Sequence, residues 1–312
     1  MLELKALNGA VASDLCFGCM QFGGTADAHT SRAMFEACRD AGVTFFDTAH
    51  VYTDGASEEL LGAFAAADRE GLIIASKAGY TDGSSREKIL QQFDKSRARL
   101  DMDVVDILYL HRWDPETALE ETFETLRGLQ EAGKIRYIGV SNFAAWQVMK
   151  AQAVAEALGT RIDILQPMYS LVKRQAEVEL FPMALSEGIA VAPYSPLGGG
   201  LLTGKYGAGG TGRLSTDARY AARYGQAWMQ QTAADLSELS KEMGVDAATL
   251  AVAWAAKHPA VTAPIISARN LAQLEPSLAA AQLSLSQEHY DRIEALSPRP
   301  APATDRLEEA IG

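Results

Sequence analysis

A (β/α)8 TIM barrel with a short N-terminal β-hairpin is the fold this sequence predicts, and two observations carry the prediction. Eight short apolar runs alternate with helical segments along the chain, and seven of the eight end in polar residues. Continuous apolar strands separated by helices imply a parallel sheet covered on both faces. Eight of them within 312 residues imply closure, since such barrels run to about 250 residues or more. An open doubly wound sheet is the alternative topology. The whole chain, residues 1–312, is read as a single domain.

The elements follow in order. Residues 3–19 read as two short strands around Asn8-Gly9, a dipeptide suited to a tight hairpin turn, with LCFG as the first core strand. A helix over 31–41 carries Met34, Phe35, Cys38 and Ala41 at helical spacing, and Gly42 stops it. The strand VTFFDTA follows at 43–49. Ser57 is placed to cap the next helix, with Glu58 and Glu59 in the first turn, where the dipole favours negative charge. LIIASKAG at 72–79, a helix over 85–100 and VVDILYLH at 104–111 continue the rhythm. Helices over 116–132, 144–158 and 175–187 then alternate with IRYIGVSN, DILQPMY and IAVAPYSP. For about 65 residues the alternation stops. That segment holds the Gly-rich GLLTGKYGAGGTGR and helices over 226–243 and 246–257, before VTAPIISA at 261–268.

Composition narrows the function classes. A net charge of −12 opposes binding to nucleic-acid backbones, while leaving room for a local basic pocket around one small phosphate. With 48% hydrophobic residues and no apolar run near the ~20 residues of a membrane span, no membrane association is expected. The N-terminal MLELKALNGAV lacks the pattern of a signal peptide, and a cytoplasmic location is expected. Three cysteines, Cys16, Cys19 and Cys38, suit a reducing compartment. The Cys16-Cys19 CxxC lacks a second pair or an adjacent His ligand, so it reads as ordinary thiols ahead of a metal or redox motif.

In a barrel of this kind, function sits on the C-terminal ends of the strands. The residues ending successive runs are Asp47, Lys77, His111, Ser141-Asn142, Gln166, Tyr194-Ser195 and Ser267-Arg269. They would converge on one mouth. Lys77 ends an apolar strand, where a charge needs a partner, and Asp47 ends the neighbouring strand. A structural ion pair is one reading. With Tyr52 and His111 the set becomes a proton-transfer site: Lys77 lowers the phenol pKa, Asp47 positions the lysine, and His111 hydrogen-bonds a substrate oxygen or relays a proton. A metal site from Asp47, His50 and His111 is disfavoured, because Lys77 would repel a divalent ion; no metal is expected. GAGGTG at 207–212 spells GxGxxG without a clear strand before it, and GGLLTGK at 199–205 lacks the hydroxyl residue of a P-loop after its lysine.

Seven motifs in order give the chain a resemblance to the aldo-keto reductase family over essentially its whole length. They are FFDTAHVYTDGASEELLG, IIASKAG, DILYLHRWD, GVSNF, QPMYSLVKR, YSPLGGGLLTGKY and PIISARNLAQLE. The resemblance implies that Asp47, Tyr52, Lys77 and His111 form a catalytic tetrad, with Tyr52 as general acid for reduction and general base for oxidation. It implies NADP(H), or alternatively NAD(H), as cofactor. Ser141, Asn142 and Gln166 would hold the carboxamide and Tyr194 would stack on the nicotinamide. Ser195, Leu197, Gly200 and Lys205 would lie along the pyrophosphate, and Arg269 and Gln273 at the adenosine end. Two cations, Lys205 and Arg269, suit a 2′-phosphate and favour NADP. Pro276-Ser277 stands where the family often has an acid followed by Asn or Thr, Ser267 where Gly is common, and Cys19 where Thr or a similar residue is frequent. The implied substrate is a small carbonyl compound, an aldehyde, ketone or sugar, or the corresponding alcohol. Met20, Tyr80 and Trp113 are candidate walls of its pocket. Potassium-channel β subunits share the same resemblance, so a nucleotide-binding regulatory subunit with little turnover is the alternative function.

Overall fold

The computed structural model describes residues 2–207 and 209–310. Its eight strands are β1 (Cys16–Gly18), β2 (Phe45–Asp47), β3 (Ile73–Ala78), β4 (Val105–Leu110), β5 (Ile135–Ser141), β6 (Ile164–Gln166), β7 (Ala190–Val191) and β8 (Ile265–Ile266). All pair in parallel in the order β7-β6-β5-β4-β3-β2-β1-β8. The two ends of this sheet meet through a parallel bridge between Tyr194 and Ile265, and the Ile265 N–H donates to the Pro193 carbonyl at 2.8 Å. The sheet is therefore a closed barrel, and the open-sheet alternative is set aside.

Strand parity decides what lies inside. Phe45, Ile73, Ala75, Ile107, Tyr109, Ile164, Ala190, Ala192 and Ile265 pack together in the barrel interior. Their neighbours Phe46, Ile74, Leu108, Leu165 and Val191 pack outward against the helices. Side chains alternate between faces along a strand, so Asp47, Lys77, His111, Ser141, Gln166 and Tyr194 continue the inward-facing rows at the C-terminal end. Gly139 is needed for that filling: a Cβ there would lie 2.3 Å from the Tyr109 ring.

The outer layer begins with α1 (Ala28–Asp40), α2 (Ala56–Ala65), α3 (Arg86–Leu100), α4 (Leu119–Glu131), α5 (Ala145–Ala157) and α6 (Leu180–Glu187). After β7 come α7 (Arg213–Thr216), α8 (Ala218–Tyr224), α9 (Ala227–Met243) and α10 (Ala247–Lys257), and after β8 come α11 (Leu271–Ala279) and α12 (Gln287–Glu294). Three elements differ from expectation. Helix α1 starts earlier because Asp27 caps it, accepting from the Thr30 N–H. Ser57 does not cap α2; Gly55 occupies that position, and the buried Ser57 hydroxyl donates to the Cys19 carbonyl instead. The helix expected over 175–187 is a 3-10 turn, Gln175–Glu177, followed by α6, because Pro182 has no N–H to continue a helix arriving from upstream and fits only in a first turn. Helices α7, α8, α11 and α12 are additions that the alternation did not show.

The predicted hairpin is present as an antiparallel bridge between Lys5 and Val11, with Gly9 at φ +87° in its turn. Leu4 and Ala6 are buried against the inner cluster, so the hairpin closes the N-terminal end of the barrel. No helix among the described residues is long and apolar enough to cross a membrane.

Candidate active site

The opposite end of the barrel carries the candidate site. Lys77 is fully buried, and its ammonium donates to Asp47 Oδ1 at 2.5 Å, the Thr48 carbonyl at 2.6 Å and Tyr52 Oη at 3.3 Å. All three of its protons are thereby directed. The second Asp47 oxygen accepts from Gln166 Nε2 at 2.9 Å. The chain after β2 stays paired to β3, through Thr48 N–H to the Ala75 carbonyl and His50 N–H to the Lys77 carbonyl, before turning to carry Tyr52 back over the lysine. The Lys77 ammonium also lies 4.8 Å from the Tyr52 ring centroid. His111 completes the group, its ring edge-on to Tyr52 with centroids 5.8 Å apart. The four residues expected to act together are thus adjacent.

The electrostatics refine two expectations. Burial raises the Tyr52 pKa, and this outweighs the lowering by Lys77, so the phenol lies above its ordinary value. The expected lowering by Lys77 is present, and it tempers a rise caused by desolvation. Burial, reinforced by Lys77 and Arg112, pushes the His111 pKa down to about 3. A neutral imidazole offers one N–H as a hydrogen-bond donor, whereas taking up a second proton near neutral pH is strongly disfavoured. For the buried pair itself, desolvation pushes Asp47 up against Lys77's lowering. Desolvation also works to lower Lys77, but Asp47 and Tyr52 leave it raised. The lysine is a cation.

The residues expected to meet a nicotinamide lie beside this group. Ser141 Oγ donates to the Gln166 carbonyl at 3.0 Å, and Asn142 Nδ2 donates to the His111 carbonyl at 2.9 Å. Tyr194 Oη donates to Asn142 Oδ1 at 2.7 Å, with Asn142 at φ +59° and Ser195 at φ +63°. Both left-handed residues follow strand ends, where the backbone leaves the sheet.

Further along the rim lies a basic pocket. Burial lowers the Lys205 pKa, and the nearby Arg269 and Arg213 cations add to the effect. Among the described residues Lys205, Arg213 and Arg269 have no salt bridge, although most arginines of this acidic chain do. The lysine tip lies over the Tyr206 ring, 5.1 Å from its centroid, and close to two glycines: a Cβ on Gly200 would come within 3.2 Å of Lys205 Nζ, and one on Gly212 within 2.7 Å. Leu197 begins this turn, in which Gly198, Gly199 and Gly200 all have positive φ. Arg269 and Gln273 flank the start of α11, where Asn270 caps the helix and Gln273 Oε1 accepts from the Arg269 N–H at 3.3 Å. Unpaired cations, glycines permitting close backbone approach and the positive end of a helix form a donor set that fits a pyrophosphate or phosphate ester.

Of the candidate pocket walls, Tyr80 packs on His111 with ring centroids 4.7 Å apart, and the Arg112 guanidinium covers its ring. Trp113 is half-buried between Phe143 and the exposed Trp146. Met20 is half-buried after Cys19, whose N–H donates to the Asp47 carbonyl. Sequence reasoning missed Arg213 and Tyr220. Tyr220 lies close enough to act electrostatically on Tyr52, and Arg213 donates to its hydroxyl at 3.2 Å. The signal available was the run ARYAARY, with Tyr220 and Tyr224 one helical turn apart and an arginine before each.

Comparison with known proteins agrees with this geometry. The Aldo/keto reductase family model matches residues 14–298. An uncharacterized oxidoreductase of Bacillus subtilis is 33% identical, the match covering 95% of each chain. A probable voltage-gated potassium channel subunit beta of Oryza sativa is 34% identical over 93% of this chain and 94% of its own. The norsolorinic acid reductase of Emericella nidulans is 31% identical over 95% of this chain and 81% of its own. With the four-residue group at the barrel mouth and a match spanning nearly the whole sequence, the chain belongs to the aldo/keto reductase family.

Proposed function

We propose that this protein is an NADP-dependent oxidoreductase that interconverts a carbonyl compound (an aldehyde, ketone or sugar) and its alcohol. The observation that carries the reading is the Tyr52 hydroxyl, held 3.3 Å from a fully buried lysine and beside a neutral histidine. A phenol raised by burial keeps its proton at neutral pH, as an acid must before reduction. As a carbonyl oxygen gains negative charge, Tyr52 gives up that proton, and the Lys77 ammonium beside it stabilises the phenolate left behind. Neutral His111 donates a hydrogen bond to the same oxygen, a preorganised donor that involves no charge change of its own. Asp47 keeps Lys77 charged and in place. In oxidation Tyr52 acts in reverse, as the base that accepts the alcohol proton.

The cofactor, when bound, supplies or accepts the hydride. Ser141, Asn142 and Gln166 would hold its carboxamide, matching amide donors with acceptors. Tyr194 would face the ring, Ser195, Leu197, Gly200 and Lys205 the pyrophosphate, and Arg269 and Gln273 the adenosine end. Arg269 and Lys205 favour the extra phosphate of NADP over NAD. Met20, Tyr80 and Trp113 would line the substrate pocket, and the chain works as a single domain, residues 1–312, in the cytoplasm. The test is a substrate panel of aldehydes, ketones, sugars and their alcohols, followed by NADPH absorbance in both directions. Turnover of any member supports the reading. Tight NADPH binding with none turned over would favour a second reading, a nucleotide-binding regulatory subunit, which the potassium-channel β relatives support.

A further inference from the structure

The loop that carries Tyr52 holds an unfavourable backbone. Thr53 (φ 46°, ψ 41°) and Asp54 (φ 53°, ψ 26°) are both left-handed, and Gly55 follows at φ +102°. A left-handed non-glycine residue is strained, so two in succession need support from outside the loop.

Two side chains supply it: Thr53 Oγ1 donates to the Phe22 carbonyl at 2.8 Å, and an arginine from α3 spans the turn. Arg99, in the last turn of α3, donates to the His50 carbonyl at 2.9 Å and the Asp54 carbonyl at 3.4 Å, on either side of Tyr52 in the chain. Gly55 makes room for it: a Cβ there would fall 2.4 Å from the Arg99 guanidinium carbon. The arginine is in turn fixed by Glu58 of α2, whose Oε2 accepts from it at 3.2 Å. Glu58 is fully buried, and its other oxygen accepts from Ser76 Oγ of β3 at 2.6 Å. Ser76 precedes Lys77, so it points out of the barrel where Lys77 points in. The back of the strand that supplies the lysine is thus bonded to the carboxylate that orients the arginine of the tyrosine loop. Two helices and a strand converge on the backbone of one turn.

We infer that Arg99 and Glu58 are positioning residues that hold Tyr52 over Lys77, although neither touches the reacting group. The inference rests on the proposed role of Tyr52 for its kinetic consequence, while the geometric part stands independently of turnover. A guanidinium is suited to the task because its planar fork reaches two carbonyls and a carboxylate at once, which a lysine ammonium cannot do in the same geometry.

The experiment compares Arg99→Met, Arg99→Lys and the double variant Arg99→Met/Glu58→Gln with the parent protein. Arg99→Met should lower kcat on the order of 10–100-fold, the scale of a displacement of about 1 Å, with KM and the NADPH Kd changed by less than about threefold. Arg99→Lys keeps the charge and should recover only a small part. The double variant removes the buried unpaired carboxylate, so it should melt higher than Arg99→Met without regaining kcat. Ring-labelled tyrosine NMR gives a readout besides activity: the Tyr52 resonance, identified by its loss in Tyr52→Phe, should shift or broaden in Arg99→Met in the purified, NADPH-loaded protein. An unchanged Tyr52 resonance, or full kcat in Arg99→Lys, would overturn the inference. A parent protein with no turnover but a Tyr52 resonance sensitive to Arg99 would leave the clamp standing and remove the proposed catalytic function.

Discussion

Replacing Lys77 with Met separates what the buried ion pair does for stability from what it does for chemistry. The change removes the donor to Asp47 Oδ1, the Thr48 carbonyl and Tyr52 Oη, and leaves Asp47 buried with Gln166 as its side-chain partner. Breaking one side of a buried pair costs about 3–5 kcal/mol. At about 2 °C per kcal/mol for a chain of this size, the melting temperature should fall by about 6–10 °C at pH 8. The pH dependence follows from the sign of the Asp47 shift. Burial already raises this carboxyl, and Lys77 is the main influence lowering it. Without the lysine the folded-state pKa rises further above the unfolded value. A carboxyl raised in this way contributes stability fully below its unfolded pKa of about 3.9, and that contribution is lost as pH rises through the folded pKa. The deficit of Lys77→Met should therefore be largest at pH 8 and smaller at pH 5, and Lys77→Met/Asp47→Asn should recover most of it at pH 8. Differential scanning calorimetry across this range is the assay. A deficit equal at both pH values and untouched by Asp47→Asn would refute the reasoning.

Other expectations are independent of that pair. Asp163, buried at the N-terminal side of β6, is raised to about 6 by burial against the lowering effects of the Ile138 N–H and Arg161. It contributes stability below about pH 4 that is lost as pH rises through about 6, about 3 kcal/mol in all, so Asp163→Asn should flatten the fall in melting temperature between pH 4 and 7. Arg269→Ala should weaken NADPH binding by about tenfold or more and NADH by much less, measured by fluorescence titration; equal losses would contradict a contact to the 2′-phosphate. His111, lowered to about 3, should show the nitrogen shifts of a neutral imidazole throughout pH 5–8, and a titration near 6.5 would contradict its assignment as an uncharged donor.

The barrel was legible in the alternation of apolar runs with helical segments, and the candidate site in the polar residues that end those runs; parity along the strands is the physical reason those ends point inward. Once FFD and IIASK are read as strands, alternation alone turns Asp47 and Lys77 inward, and DILYLH does the same for His111. The spacing of Tyr52 from Asp47 made it a neighbour, but its approach to Lys77 depends on left-handed Thr53 and Asp54, which no propensity rule favours. Capping was misread at Ser57 because a serine before two glutamates satisfies the local rule, whereas tertiary contacts with Thr48 and Cys19 claimed its hydroxyl. Helices α7 and α8 were hidden by their shortness, since the four residues of Arg213–Thr216 span barely more than one turn and carry no apolar period. The net effect on the Tyr52 pKa also lay beyond the sequence, because residue types show that a lysine is available but not how completely the phenol is buried.

The central claim is that Tyr52 transfers the proton, and Tyr52→Phe tests it most directly, because the substitution removes one oxygen and leaves the ring against Lys77 and His111. With an aldehyde that the parent protein reduces, kcat should fall by about 10²–10⁴-fold while the NADPH Kd stays within about threefold. Undiminished turnover in Tyr52→Phe would contradict the account.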